Sequence, residues 1–184
     1  MTEREQVLQD AYAVLIPVVE PLDASDSVDQ FLQAGGRSVV LGMNREEYLG
    51  HAMSDDRRAR ETREFLASVI GAWRTHSDGP VLVAADVEVG GINRVHWAHQ
   101  RLLRNTESEN LVQALEKVAV ASLEVGVNLW LGPMADVLTG PNDWLQGRAG
   151  TVQEQVLRES RAMLTVAREH AIATVVKHFP GYSA

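Results

Sequence analysis

The sequence predicts an α/β fold built on a parallel sheet, and three observations carry that reading. Short, nearly continuously apolar runs alternate with longer amphipathic segments along the whole chain. Each apolar run is bounded by Gly, Pro, Asp or Lys, as in strands buried on both faces. The segments between them are long enough for the right-handed crossovers that join parallel neighbours.

Taken in order, the first strand is expected over Ala13 to Val19, AVLIPVV. A helix follows from Val28 to Ala34, capped by Ser25 or Asp26 and closed by Gly35-Gly36. Arg37 to Gly42, RSVVLG, is the second strand. From Asp55 to Trp73, Ala59, Phe65, Leu66, Val69, Ile70 and Trp73 recur mostly at three- and four-residue steps, which predicts one helix with a single buried stripe. Pro80 to Asp86, PVLVAAD, is the third strand. Ser108 to Val125 is the next crossover helix, with Leu111, Leu115, Val118, Ala119 and Leu123 inward. Val127 to Pro133, VNLWLGP, is the fourth strand, and Thr151 to His170 the helix after it, carrying Val152, Val156, Met163, Val166 and Ala167. Ala173 to Phe179, ATVVKHF, is the fifth strand. This order admits a doubly wound open sheet or a (βα)8 barrel, the latter about three units short of its usual ~250 residues.

Composition narrows function. The 184 residues are 45% hydrophobic, enough for one core, so a single domain over 1–184 is expected. A formal charge of −8 argues against nucleic acid or an anionic membrane as partner, since either needs a concentrated Lys/Arg surface. With no cysteine, disulfides and thiolate chemistry are excluded. MTEREQVLQD lacks the basic and apolar regions of a secretory signal, and no apolar run reaches spanning length, so a cytoplasmic location is expected.

Parallel α/β folds place chemistry at the carboxyl ends of strands. The third strand ends in AADVEVGGINR, offering Asp86, Glu88, two glycines and Arg94. Such a strand-end acid either accepts from a polar ligand or satisfies the amides of its own turn. The fourth strand contributes Asn128 and Asp136, and Asp136 reads as a loop brace. Arg148 sits in the loop LQGRAG before a helix, where a lone arginine is ordinarily solvated surface. Lys177-His178 at the end of the fifth strand is the strongest local signal, because two such side chains leaving a buried strand need a polar cavity or partners. Strand alternation expects one of them to face the cavity and the other to point outward, unless the strand breaks first. His51, His76, His96, His99 and His170 show no metal-ligand spacing, although His96 and His99 could share a helical face.

Together these residues resemble glycoside hydrolase family 3, specifically its β-N-acetylglucosaminidase branch. The family pattern D-x-E-G-G-x-V-x-R aligns on Asp86 to Arg94 without gaps, G-[IV]-N-x-x-[LF]-[AG]-P-x-x-D-V on Gly126 to Val137, and K-H-F-P-G on Lys177 to Gly181. The resemblance covers most of the chain and implies a (βα)8 TIM-barrel type, incomplete, with about five parallel strands and four crossover helices. It implies retaining hydrolysis of terminal β-linked N-acetylhexosamine or a related β-glycoside, with Asp86, Arg94, Arg148, Lys177 and His178 holding the sugar. No cofactor or metal is implied. The chain departs from the pattern at Val89 and Gly91, at Ala149-Gly150 after Arg148, and at Tyr182. In the relatives, an Asp-His acid/base loop and a later aspartate nucleophile follow. The expectation is therefore that these residues carry the sugar-holding half of the site and are inactive alone. Two competing expectations are a non-catalytic sugar-binding module and a structural piece whose open sheet edge meets a complementary chain or a second copy.

Overall fold

The computed structural model describes residues 2–23, 26–99, 101–104, 108–138, 140, 145 and 147–181; Ser25 and Tyr182 lie outside them. The described elements are α1 (Glu3–Ala13), β1 (Val18–Val19), a 3₁₀ turn (Pro21–Asp23), α2 (Asp26–Gln33), β2 (Ser38–Leu41), α3 (Arg45–Gly50), α4 (Asp55–Arg60), α5 (Arg63–Thr75), β3 (Leu82–Asp86), α6 (Ser108–Val125), β4 (Leu129–Leu131), α7 (Gln153–Glu169) and β5 (Ala173–Thr174). The five strands form one parallel sheet in the order β1-β2-β3-β4-β5, each beside its sequence neighbour.

The register explains the two faces. Val18, Val40, Ala84, Leu129 and Ala173 lie in one row across the sheet, and alternation sends Val40, Ala84 and Leu129 to the face without helices. Val39, Val83, Ala85 and Trp130 point the other way, into the main core with Leu66, Ile70, Leu115, Val118 and Met163 from the helices. Trp130 is fully buried there, and its indole Nε1–H donates to Ser122 Oγ at 3.0 Å. Asn128 ties β3 to β4: its Oδ1 accepts from Val83 N at 2.8 Å and its Nδ2 donates to Val81 O at 3.1 Å.

Several expectations need correction. The first strand is confined to Val18–Val19, and β5 ends at Thr174 rather than Phe179. Both are edge strands, with Val18, Val175 and Val176 exposed rather than buried. The single helix over 55–73 is two. Glu61 leaves helical geometry at φ −81°, ψ 68°, and Thr62 caps a new helix by accepting from Phe65 N. The break lets Glu61 turn its carboxylate inward. Two further helices stand where none was expected. Both carry capping boxes, Thr2 with Glu5 at α1 and Asn44 with Glu47 at α3. His96 and His99 share no helical face, because residues 96–98 form a turn.

Candidate functional site at the carboxyl ends of the strands

Alternation along β3 directs Ala84 and Asp86 to the helix-free face, and Glu88 follows in the turn beyond. That turn folds back on itself: Glu88 N donates to Ile92 O and Arg94 N to Asp86 O, both at 2.9 Å. Gly90 sits at φ +88°, which a side chain adopts only with strain, and a Cβ there would lie 2.5 Å from Arg104 Nε. The family-pattern glycine at this position is thus a backbone requirement.

Lys177 Nζ lies 2.5 Å from both Asp86 Oδ1 and Glu88 Oε1. Glu88, fully buried, also accepts from Arg148 Nη2 at 2.6 Å, from Arg148 Nε at 3.1 Å and from Ile92 N at 3.0 Å. Asp86, Glu88, Arg148 and Lys177 therefore form one connected cluster of two acids and two bases from three separate segments of the chain. Burial works to raise the Glu88 carboxyl, but Arg148 and Lys177 outweigh it and hold the group below its usual range. Burial likewise works to lower the Lys177 ammonium, and the two carboxylates more than offset it. Arg148 is positioned by its backbone: Arg104 donates to Arg148 O from Nε at 3.0 Å and from Nη2 at 2.7 Å while pairing with Glu159.

Arg94 is bonded through its backbone N to Asp86 O, and its side chain is fully buried. Its Nη2 is 2.6 Å from Glu61 Oε2, an ion pair without hydrogen-bond alignment, and its Nε and Nη1 have no hydrogen-bond acceptor among the described residues. Behind it Arg57 gathers three carboxylates: Glu47 at 2.5 Å, Glu61 at 2.8 Å and Glu20 at 2.8 Å. Tyr48 senses Asp86, Arg94 and Lys177, so α3 presents its phenol to the same cluster; burial first, then Asp86, raises its pKa.

His178 faces a neighbouring hollow. Its Nδ1 and backbone N lie 2.7 and 3.0 Å from Asp136 Oδ2, so Asp136 braces the turn that carries it. Lys177, His178, Asp136 and Phe179 line a cavity of about 360 Å³. Of the five sequence-selected residues, Asp86, Arg148 and Lys177 meet through Glu88, Arg94 pairs with Glu61, and His178 stands beside them on its own partner. Because β5 has ended three residues earlier, strand alternation does not govern where Lys177 and His178 point. Glu88 was visible at the strand end but not selected for the site. Tyr48, Glu61 and Arg104 were not selected either; the Asn44–Glu47 capping box was the one signal that could have located α3 and Tyr48. Among the described residues, no group of three His, Asp or Glu side chains is placed to hold a metal ion, and no helix is long and apolar enough to cross a membrane.

The family model described as the glycosyl hydrolase family 3 N terminal domain matches residues 46–184, which include every residue of this cluster. The chain belongs to glycosyl hydrolase family 3. No curated protein matches the chain in sequence. Among solved structures, a β-N-acetylhexosaminidase from Beutenbergia cavernae superposes with a TM-score of 0.71 at 19% identity, over 96% of this chain and 54% of that one. A family 3 β-N-acetylglucosaminidase from Paenibacillus sp. gives 0.72 at 17% identity, over 96% of this chain and 33% of that one. A family 3 glycosyl hydrolase from Mycobacterium smegmatis gives 0.69 at 17% identity, over 100% and 52%. The chain thus spans about half the length of the first and third, and a third of the second. At these identities the likeness is one of fold: the family 3 sheet, with five of the eight strands that a (βα)8 barrel contains.

Proposed function

We propose that this chain supplies the sugar-holding part of a site that hydrolyses terminal β-linked N-acetylhexosamine with retention. The observation that supports it is the Lys177 ammonium shared between Asp86 and Glu88, with Arg148 on the far side of Glu88, at the strand ends. A pyranose presents vicinal hydroxyls that both donate and accept. Asp86 accepts from one hydroxyl while Lys177 donates to its neighbour, and His178 and Arg148 add donors at the rim.

Retaining hydrolysis needs a carboxylate nucleophile and a proton donor. Glu88 fits neither role: its two oxygens are occupied by Arg148, Lys177 and Ile92 N, and those cations keep it ionised. The five residues act by orienting the ring, which converts binding energy into alignment of the anomeric carbon. In this reading the nucleophile and acid/base lie on barrel elements that follow the Lys177–Gly181 turn.

The test is calorimetric titration of the chain with N-acetylglucosamine and with glucose. The expected result is saturable heat for the N-acetyl sugar, lost on Asp86→Ala and weakened about tenfold on Arg148→Gln, the scale of one charge-assisted hydrogen bond. Absence of heat at millimolar sugar overturns the proposal.

A further inference from the structure

A second cavity, of about 460 Å³, opens on the other side of the Glu88–Arg148 pair from Lys177. Among the described residues its lining contains Arg58, Arg101, Arg148, His51 and His96 and no aspartate or glutamate, in a chain whose net charge is −8. Glycine at 91 forms part of the wall, where a Cβ would lie 1.9 Å from Glu88 Oε2. The space far exceeds the ~30 Å³ share of one water.

The charges on this wall are not equally neutralised. Arg148 is met by Glu88, but Glu88 is shared with Lys177, and Lys177 also meets Asp86, so that cluster closes at zero. Arg58 donates to Met53 O at 2.6 Å and pairs with Asp55, whose side chain is 93% exposed and screened by water. Arg101 donates to Gly90 O at 3.2 Å and meets no carboxylate among the described residues. Burial holds both His51 and His96 below the ordinary imidazole value, so the fixed charge comes from the arginines, and the one N–H of neutral His96 is taken by Arg58 O at 3.2 Å. Guanidinium forks around a recess whose described lining residues include no carboxylate match an oxyanion with two or three acceptor oxygens.

We propose that this cavity is an anion site, taking a carboxylate or phosphate group next to the sugar cluster. Insofar as that group is carried on the sugar, the inference rests on the saccharide reading above and narrows its substrate class to acidic glycosides. Two sources share the chemistry: a substituent of the bound sugar, and a small free anion.

Titrations of the chain with inorganic phosphate, N-acetylglucosamine and N-acetylglucosamine 6-phosphate separate them. The expected result is saturable phosphate binding that weakens with sodium chloride and falls about tenfold in Arg101→Gln, the scale of one charge-assisted hydrogen bond, with neutral-sugar binding unchanged. Arg101 is exposed and holds only a carbonyl among the described residues, so the variant should melt as the parent does. Sugar phosphate binding about tenfold tighter than either component assigns the anion to the substrate. Sugar phosphate binding no tighter than phosphate assigns it to a free ion. Loss of N-acetylglucosamine binding alone overturns the saccharide reading and leaves the anion site standing. The proposal itself is overturned when phosphate shows no saturable binding and sugar phosphate binds no better than the neutral sugar, or when their binding survives both Arg101→Gln and Arg58→Gln.

Discussion

Lys177 Nζ lies 2.5 Å from Asp86 Oδ1, joining the end of β5 to the end of β3 across 91 residues of sequence. Removing that ammonium leaves Asp86 and Glu88 buried, with Arg148 on Glu88 as the one cation paired with either among the described residues. Lys177→Met is therefore expected to destabilise the chain by about 3–5 kcal/mol, as breaking a buried ion pair does. Urea unfolding of the two proteins measures it; a loss under about 1 kcal/mol would show that the pair is solvated, as exposed pairs are.

The carboxylate of Glu61 is shared between Arg57 and Arg94, and both of its neighbours are buried. Glu61→Gln should destabilise by about 3–5 kcal/mol because it strands the Arg94 charge. Adding Arg94→Met to Glu61→Leu should recover most of that loss. A double variant no more stable than Glu61→Gln would mean that packing, not charge, dominates there.

Glu47 gives a pH signature with a definite sign. Burial works against its ionised form, but bonds from Ser54, Arg57 and Asn44 outweigh it and bring the carboxyl down to about 2. A carboxyl depressed in the folded state adds stability above its unfolded value, near 4.5, and loses it as pH falls toward the folded value. Glu47→Gln should therefore cost about 3 kcal/mol at pH 7, with the gap to the parent closing between pH 4.5 and 2. Equal gaps at pH 7 and pH 3, read by guanidinium unfolding, would contradict this assignment.

At Gly91 a new Cβ would stand 1.9 Å from Glu88 Oε2, an oxygen that cannot swing aside without breaking bonds to Arg148 and Ile92 N. Gly91→Ala should lower stability by about 1–3 kcal/mol, the usual range for overpacking, and weaken sugar binding in parallel. Unchanged melting and unchanged sugar affinity would show that the carboxylate is free to move.

Much of the fold was legible because parallel strands and crossover helices leave separate periodicities in sequence. The helix over Ser108–Val125 came out at its true bounds, since Leu111, Leu115, Val118 and Ala119 recur at helical spacing and are buried, although Leu123, which continues that spacing, is exposed. The helix over 55–73 did not, because Arg60, Glu61 and Thr62 keep helical polarity while Thr62 restarts the hydrogen bonding. At the site, Asp86, Arg148 and Lys177 could be selected by strand-end position and motif. Their common partner Glu88 could be seen but not ranked, because sequence does not reveal which of two acids in one turn is fully buried. Glu61 reaches Arg94, and Tyr48 and Arg104 reach the cluster, from segments far away in sequence, a relation that only tertiary packing creates. The edge exposure of Val18 and Val176 was hidden for the opposite reason: an apolar strand reads the same whether or not a neighbour covers it.

The most direct measurement is a crystal structure of the chain soaked with N-acetylglucosamine. The expected result is a pyranose whose hydroxyls lie within hydrogen-bonding distance of Asp86 and Lys177, with His178 or Arg148 at its rim. A sugar seated elsewhere, or strand ends left empty at saturating concentration, would contradict the assignment of these residues to saccharide binding.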